Sequence, residues 1–360
     1  MCRCPICDMI YFESLRFPQT FSFQKISVSA DRRFISQKVI FHTKNAIICK
    51  MNENLNGILN IYKEAGWTSF DVVAKLRGIL KIKKIGHGGT LDPSVTGVLP
   101  VAVGRATRLL EYMEAAGKVY EGEVTIGWST ETEDADGQIV SRTPVLSALT
   151  EDEIDDAMAT FVGNIQQIPP MYSAVKINGK KLYEYARSGQ TIERPAREIT
   201  IYEFVRTSAP IFDEKQATVK FNFRVACSKG TYIRTLAVDL AEKLGYAGHM
   251  SQLQRTAANG LKIENAVTLT EIEQAKANDN LSAFLFPIEY AVTDLTKIEL
   301  TDEQFEMAIV GKKFDESQFS TLSVLTEPRF AAFYNGKLVA VYMKHPDKEG
   351  IWKPNKVLYK

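Results

Sequence analysis

From Val219 to Cys227 apolar and polar residues alternate: Val219, Phe221, Phe223, Val225 and Cys227 on one parity, Lys220, Asn222, Arg224 and Ala226 on the other. Successive side chains of a strand point to opposite faces, so this segment predicts a strand buried on one side. Tyr120, Val124 and Ile126 keep the two-residue rhythm and share one face of another strand. Gly57 to Tyr62 suits a short buried strand, and Val98 to Val103 is a further apolar run.

Elsewhere the period becomes helical. Thr68 and Asp71 form a capping-box pattern, and Val72, Val73, Leu76, Ile79 and Leu80 then fall on one face, predicting a helix through Leu80. A loop over 81–97 and a second helix near Ala106 to Ala116, ended by Gly117, are expected next. Thr150 with Glu153 opens a helix carrying Ile154, Met158 and Phe161 inward, and Thr231 is expected to cap one built on Ile233, Leu236, Leu240 and Leu244. Asn178-Gly179 and Asn335-Gly336 are turn signals, the second between Ala331–Tyr334 and Leu338–Tyr342, a predicted hairpin. Strands interspersed irregularly with helices predict an α+β fold rather than regular βαβ winding.

The pattern changes near residue 290, dividing the chain into 51–289 and a small module over 290–360. Residues 1–50 lack sustained periodicity and are expected to be an N-terminal extension or an over-extended start, with Met51 just before the first strand. Four of the five cysteines lie there. Cys2, Cys4 and Cys7 with Cys49 or His42 could supply four zinc ligands, though the spacing is not that of the common paired knuckles. So few cysteines in 360 residues fit a reducing cytosol rather than a disulfide scaffold. Asp8, Glu13 and Asp31 argue against a transit peptide. Composition is ordinary, with 45% hydrophobic and 24% charged residues, and no apolar run nears a membrane span, so a cytoplasmic, soluble protein is expected. A net charge of +1 excludes little, because nucleic acid is met by a local basic face. Lys75, Arg77, Lys81, Lys83 and Lys84 could form one, or simply a solvated helix surface.

The candidate chemistry lies in Gly86-His87-Gly88-Gly89-Thr90-Leu91-Asp92-Pro93. Three glycines allow close backbone approach to a ligand, and a carboxylate stands at the end. It is not a phosphate-cradling loop, which would end in Gly-Lys-Ser/Thr. Alone, Asp92 before Pro93 would be a turn or cap residue.

The whole run from Gly86 to Thr107, however, resembles the signature of the bacterial tRNA pseudouridine synthase B family. Gly57–Ser69, Asp134-Ala135-Asp136-Gly137, Pro169–Gly189, Cys227–Arg234 and Leu253–Gly260 resemble further family blocks in order. The resemblance spans 57 to about 290 and weakens in the tail, which is similar to the abbreviated PUA-like end of some members. It implies a pseudouridine synthase fold with a mixed, mainly antiparallel sheet and flanking helices. It also implies isomerisation of uridine 55 in the tRNA T arm, a reaction that leaves the atom count unchanged and needs neither cofactor nor metal.

Asp92 matches the family's nucleophile and Arg234 the arginine paired with it, whose charge would keep a partly buried carboxylate ionised. Tyr120 matches the tyrosine that stacks on the uracil, with a proton-transfer role requiring an activated phenol. His87 matches a histidine inserted into the T loop when bases turn out, Leu253 an apolar wall of the uracil pocket, and Lys63 the lysine of the opening loop. Tyr232 belongs to the same substrate-binding set.

Glu64, Gly88 and Gln254 depart from the family's usual proline, threonine and arginine, which puts loop stiffness and phosphate contact in doubt; Arg255 remains to meet RNA or the site. Tyr342, Lys344, Trp352 and Lys356 suit either RNA contact or a half-buried hairpin. The expected partner is tRNA, acted on by a monomer without an obligatory protein partner. The alternatives are a guide-RNA-directed synthase related to dyskerin, a non-catalytic RNA-binding protein, and a glycoside hydrolase, which would ordinarily need a second positioned carboxylate.

Overall fold

Val219, Phe221, Phe223, Val225 and Cys227 are all buried, and their strand lies inside the larger of two principal sheets. The computed structural model describes residues 55–319 and 327–359; the cysteines and histidine weighed for zinc lie outside them. The strands that build the larger sheet's main path are β1 (Gly57–Lys63), β3 (Thr96–Val103), β4 (Lys118–Ile126), β5 (Gly163–Gln167), β6 (Arg197–Arg206), β7 (Thr218–Cys227), β8 (Gly248–Ala258) and β9 (Leu285–Phe286), with β2 (Ile85–His87) beside β3. Their order is β9-β1-β3-β8-β4-β7-β6-β5. Along this path only β3 and β8 run parallel, so the mixed, mainly antiparallel α+β expectation holds.

β3 is buried on both faces, which is why it is a continuous apolar run. Leu99, Val101 and Val103 pack with Val72, Val73, Leu76 and Leu80 of helix α1 (Ser69–Leu80). Val98 and Ala102 face the other way, into a cluster with Ala331, Phe333, Leu338, Val341 and Leu358. The third cluster joins Leu91, Val95, Tyr120 and the inward residues of β7 to Ile233, Leu236 and Leu240, with Phe204 and Phe223 meeting edge to face at 5.6 Å. Each such side chain contributes roughly 1.5–3 kcal/mol through burial. Gly97 carries φ +104 where β3 meets β8, and any Cβ there would collide with the Arg255 backbone.

Several sequence expectations need correction. The segment 81–97 is not wholly loop: β3 has a free edge beyond the point where β8 leaves it, and Ile85–His87 fills that edge, with His87 opposite Val101. The expected helix over 106–116 is a 3-10 turn, Gly104–Leu109, followed by α2 (Leu110–Ala115). Gly117 does not end it in a left-handed conformation; Ala116 is already extended. The helices after them are α3 (Glu151–Ala159), α4 (Leu182–Arg187) and α5 (Ile233–Lys243). α5 starts after Tyr232, and the Thr231 hydroxyl donates to the Ser228 carbonyl instead of capping it.

A smaller sheet follows, made of β10 (Thr296–Glu299), β11 (Phe314–Asp315), β12 (Arg329–Tyr334), β13 (Lys337–Lys344) and β14 (Ile351–Val357) in the order β10-β12-β13-β14-β11. The hairpin turns at Asn335 and Gly336, both at positive φ. Tyr342 and Trp352 are buried in its core against Phe330, and Lys356 pairs with Glu111 at 3.0 Å. Packing therefore accounts for Tyr342 and Trp352, against the RNA-facing alternative, while Lys356 remains partly exposed.

Candidate active site

The turn that presents Asp92 is pinned on several sides. Ser69, first residue of α1, accepts from the Leu91 amide at 2.9 Å and donates to the Leu91 carbonyl at 3.2 Å. The Lys63 ammonium donates to the carbonyls of Glu64 and Pro93 at 3.1 and 3.0 Å. The Gly66 amide reaches the same Pro93 oxygen at 2.9 Å, and the Asp92 carbonyl closes the turn by accepting from Val95 at 3.1 Å. Arg255, fully buried, donates through Nε to the Val98 carbonyl at 2.7 Å and through its terminal nitrogens to Thr90 and Gly89 at 3.4 and 3.2 Å.

Opposite the turn stands Arg234, in the first turn of α5. That helix start is fixed by Gln167, whose side chain accepts from the Tyr232 amide at 2.8 Å and donates to its carbonyl at 3.0 Å. Arg234 Nε lies 3.1 Å from Asp92 Oδ2, and Nη1 lies 3.6 Å from Asp134 Oδ2. The remaining donors serve the Thr132 carbonyl at 2.8 Å and the Tyr172 carbonyl at 3.0 Å. One guanidinium thus ties together the Asp92 turn, the 131–137 turn and the segment after Pro170.

Between them opens a cleft of about 240 Å³ walled by Asp92, Arg234, Tyr120, Leu253, Tyr232 and Val95, among others. Burial pushes the Asp92 carboxyl above its ordinary value, Arg234 opposes the shift, and the Asp134 charge adds to it. Because 42% of the Asp92 side chain remains exposed, solvent tempers that rise, and Arg234 keeps an ionised carboxylate accessible. Tyr120 is almost enclosed, and burial drives its phenol pKa upward despite the Arg255 charge, whose guanidinium carbon sits 6.0 Å from the ring centre. Its hydroxyl is therefore neutral near pH 7.

Five of the seven residues expected from sequence, Asp92, Tyr120, Arg234, Leu253 and Tyr232, line this one cleft. Lys63 and His87 do not line it. Lys63 sits beneath the Asp92-Pro93 turn, and desolvation pulls its ammonium down to about 8, with the Asp92 charge acting the other way. The unfolded chain holds that proton more tightly, so this lysine makes stability rise as pH passes about 8 toward the ordinary lysine value. Lys63→Met should flatten that rise in thermal melts and cost about tenfold or more in single-turnover rate, because the turn loses its anchor. His87 lies on β2 with Nδ1 buried and unpartnered. Burial, then the Arg255 charge, lowers its pKa, leaving a neutral imidazole.

Residues 77–233 match the profile of the TruB family pseudouridylate synthase N-terminal domain, and residues 234–293 that of the tRNA pseudouridylate synthase B C-terminal domain. A tRNA pseudouridine synthase B of Lactococcus lactis subsp. cremoris is 69% identical, the match covering 86% of this chain and 100% of the relative. That of Streptococcus sanguinis is 56% identical over 84% of this chain and 99% of its own length. The chain belongs to the TruB family of pseudouridylate synthases. Among solved structures, a chain from a Cbf5-Nop10-Gar1 complex superposes with a TM-score of 0.64 at 27% identity, covering 86% of each chain.

The departures from the TruB pattern have local reasons. At Gly88 a Cβ would lie 2.8 Å from Met113 Cβ, so the missing threonine goes with the packing of Met113. Gln254 donates to Tyr62 Oη and Thr96 Oγ1, each at 3.2 Å, and Glu64 is exposed. Sequence reasoning missed Asp134 and Gln167 as parts of the site's frame. Asp134 did stand in a quoted family block; Gln167 carried no signal, because only the fold brings it to Tyr232. Among the described residues no group of His, Cys, Asp and Glu has a metal-holding arrangement, and no helix is long and apolar enough to cross a membrane. The basic residues before the loop are partly committed: Arg77 donates to the Ile85 carbonyl at 2.8 Å and Lys75 pairs with Glu273 at 3.4 Å.

Proposed function

We propose that this chain converts uridine 55 in the T arm of tRNA to pseudouridine, with Asp92 as the nucleophile. The observation that carries the reading is the Asp92–Arg234 pair at 3.1 Å in a cleft walled by Tyr120 and Leu253. A flat pyrimidine fits between an aromatic and an aliphatic wall, and the carboxylate stands at its side. The relatives' names supply the tRNA substrate class.

A uridine inside folded RNA has to be extruded to reach the cleft, at roughly a few kcal/mol of lost stacking and pairing. His87, neutral and outside the cleft, is suited to occupy the vacated space by stacking rather than by moving protons. Arg234 holds Asp92 ionised, Tyr120 stacks on the base, and Leu253 and Tyr232 complete the pocket. A high phenol pKa favours stacking over a base role for Tyr120 in the free enzyme. Lys63 acts as a positioning residue through Pro93.

The nucleophile works only when ionised, so kcat/KM should rise about tenfold per pH unit on the acid side and level off above the ordinary aspartate value. A profile flat down to the ordinary aspartate range would remove Asp92 from this role. The fold is shared with Cbf5 chains solved in complexes, so dependence on a guide RNA or protein partner is the second outcome to test. We expect the purified chain, as a monomer in the cytoplasm, to modify bare tRNA transcripts, with pseudouridine mapping to position 55. Product at another position, or only with added partners, would overturn this.

A further inference from the structure

A second cleft, about 630 Å³, adjoins the first and shares Thr90, Tyr120, Thr231 and Tyr232 with it. Lys118 and Arg255 line its interior, with Lys229 and Arg197 on exposed ground at its edge. Among the described residues, neither Lys118 nor Arg255 is ion-paired with a carboxylate. Both donate to backbone carbonyls: Arg255 to Val98, Thr90 and Gly89, besides its interaction with the Tyr120 side chain, and Lys118 to Glu114 and Ala116 at 3.0 and 2.9 Å. They also converge in space. A Cβ placed on Gly89 would lie 3.2 Å from Lys118 Cε and 3.5 Å from Arg255 Nη1.

Glu114 and Glu198 also line the cleft, and the Glu114 charge acts on Lys118 without forming an ion pair, so the two like charges are only partly offset and a bound anion would relieve the remaining cost. The cost is visible in Lys118, whose ammonium is pulled down to about 8 by burial first and by Arg255 second. An ammonium has three donors, and carbonyls occupy two of those on Lys118. Arg255 is fully buried and supplies field rather than contact.

We propose that this second cleft binds a backbone phosphodiester adjoining the target uridine, with Lys118 as the contacting donor and Lys229 at the rim. The proposal rests on the reading of the Asp92 cleft as the uridine site. A nucleotide seated there against Tyr120 sends its backbone past Thr90 and Thr231, the residues that separate the two clefts. A phosphodiester suits the place because it keeps its charge at every working pH and presents acceptor oxygens to a lysine.

The test measures binding of a T-arm stem-loop RNA across a salt series, with single neutral methylphosphonates placed on either side of the target. Lys118→Met should weaken binding about five- to tenfold and flatten the slope of log Kd against log salt by about 0.7, the contribution of one phosphate contact. Lys118→Arg should restore most of the affinity, and Lys229→Ala should lose about twofold. One flanking methylphosphonate should weaken wild type as much as Lys118→Met does and add nothing to that variant. Wild-type affinity and slope in a folded Lys118→Met protein would overturn the proposal. So would absence of any methylphosphonate penalty in wild type, however that variant folds. Competition by inorganic phosphate without such a penalty would assign the cleft to a free anion instead. Wild type that binds and modifies the RNA while Lys118 is silent sinks this proposal alone; wild type that neither binds nor modifies it sinks the uridine-site reading as well.

Discussion

Asp92→Asn is expected to remove pseudouridine formation from tRNA transcripts, by at least about 10⁴-fold in single-turnover rate, while leaving tRNA binding within a fewfold of wild type. Asparagine keeps the size and most of the hydrogen-bonding shape of aspartate and removes only the charge that attacks. The fold should tolerate it. The turn is held through the backbones of Leu91, Pro93, Gly89 and Thr90 rather than through the Asp92 side chain. Arg234 would keep Asp134 and the Thr132 and Tyr172 carbonyls. Because burial raises the Asp92 pKa, the ionised side chain costs the fold stability near pH 7, so the variant should melt no more than a few degrees from wild type. Residual activity above about one part in a hundred, with a clean fold, would transfer the nucleophile's role to another group.

Arg234→Ala is expected to damage both activity and stability. The guanidinium is buried and serves two carboxylates and two carbonyls. Its removal strands Asp134, which is buried, beside Asp92 with no cation between them. Breaking one side of such an arrangement typically costs about 3–5 kcal/mol, a drop readily seen in denaturant titration. Without Arg234, the largest of the effects opposing burial and the Asp134 charge is gone and only Lys63 still counters them, so the Asp92 pKa climbs and the acid limb of kcat/KM should move to higher pH. Arg234→Lys keeps the charge but not the planar fork that meets acceptors on three segments, so it should recover part of the pH profile and little of the stability. An acid limb that stays in place in Arg234→Ala would mean Arg234 does not set the ionisation of Asp92.

Much of this was legible in the chain. The alternation from Val219 to Cys227 and the capping boxes at Thr68 and Thr150 are local signals, and the observed elements begin and end close to where they point. The residues that frame the chemistry were harder to see, for a physical reason. Gln167 and Tyr232, or Arg255 and Gly89, meet only after distant strands have been laid side by side, and no periodicity records such a meeting. Arg255, the arginine left beside Gln254, was expected to meet RNA or the site, and it meets the loop of the site through the Thr90 and Gly89 carbonyls. Its burial against three carbonyls is a property of the β3–β8 junction. Tyr342 and Trp352 stayed open between RNA contact and a half-buried hairpin, since a short aromatic hairpin gives no sign of which face the rest of its own module will cover. β2 escaped notice because three residues are too few to show a rhythm.

The apolar cluster that joins Ile58 to Leu358 bears on how the molecule is made. The carbonyls of Val357 and Leu358 accept from Arg108 and Arg105, and Asn355 meets the Tyr112 hydroxyl, so the last strand buttresses the segment directly after β3. During translation the first strand of this cluster leaves the ribosome long before the last. Until then β3, which carries the far end of the Asp92 turn, is covered on one face only. Apolar surface left open for that interval is where a nascent chain would engage a chaperone.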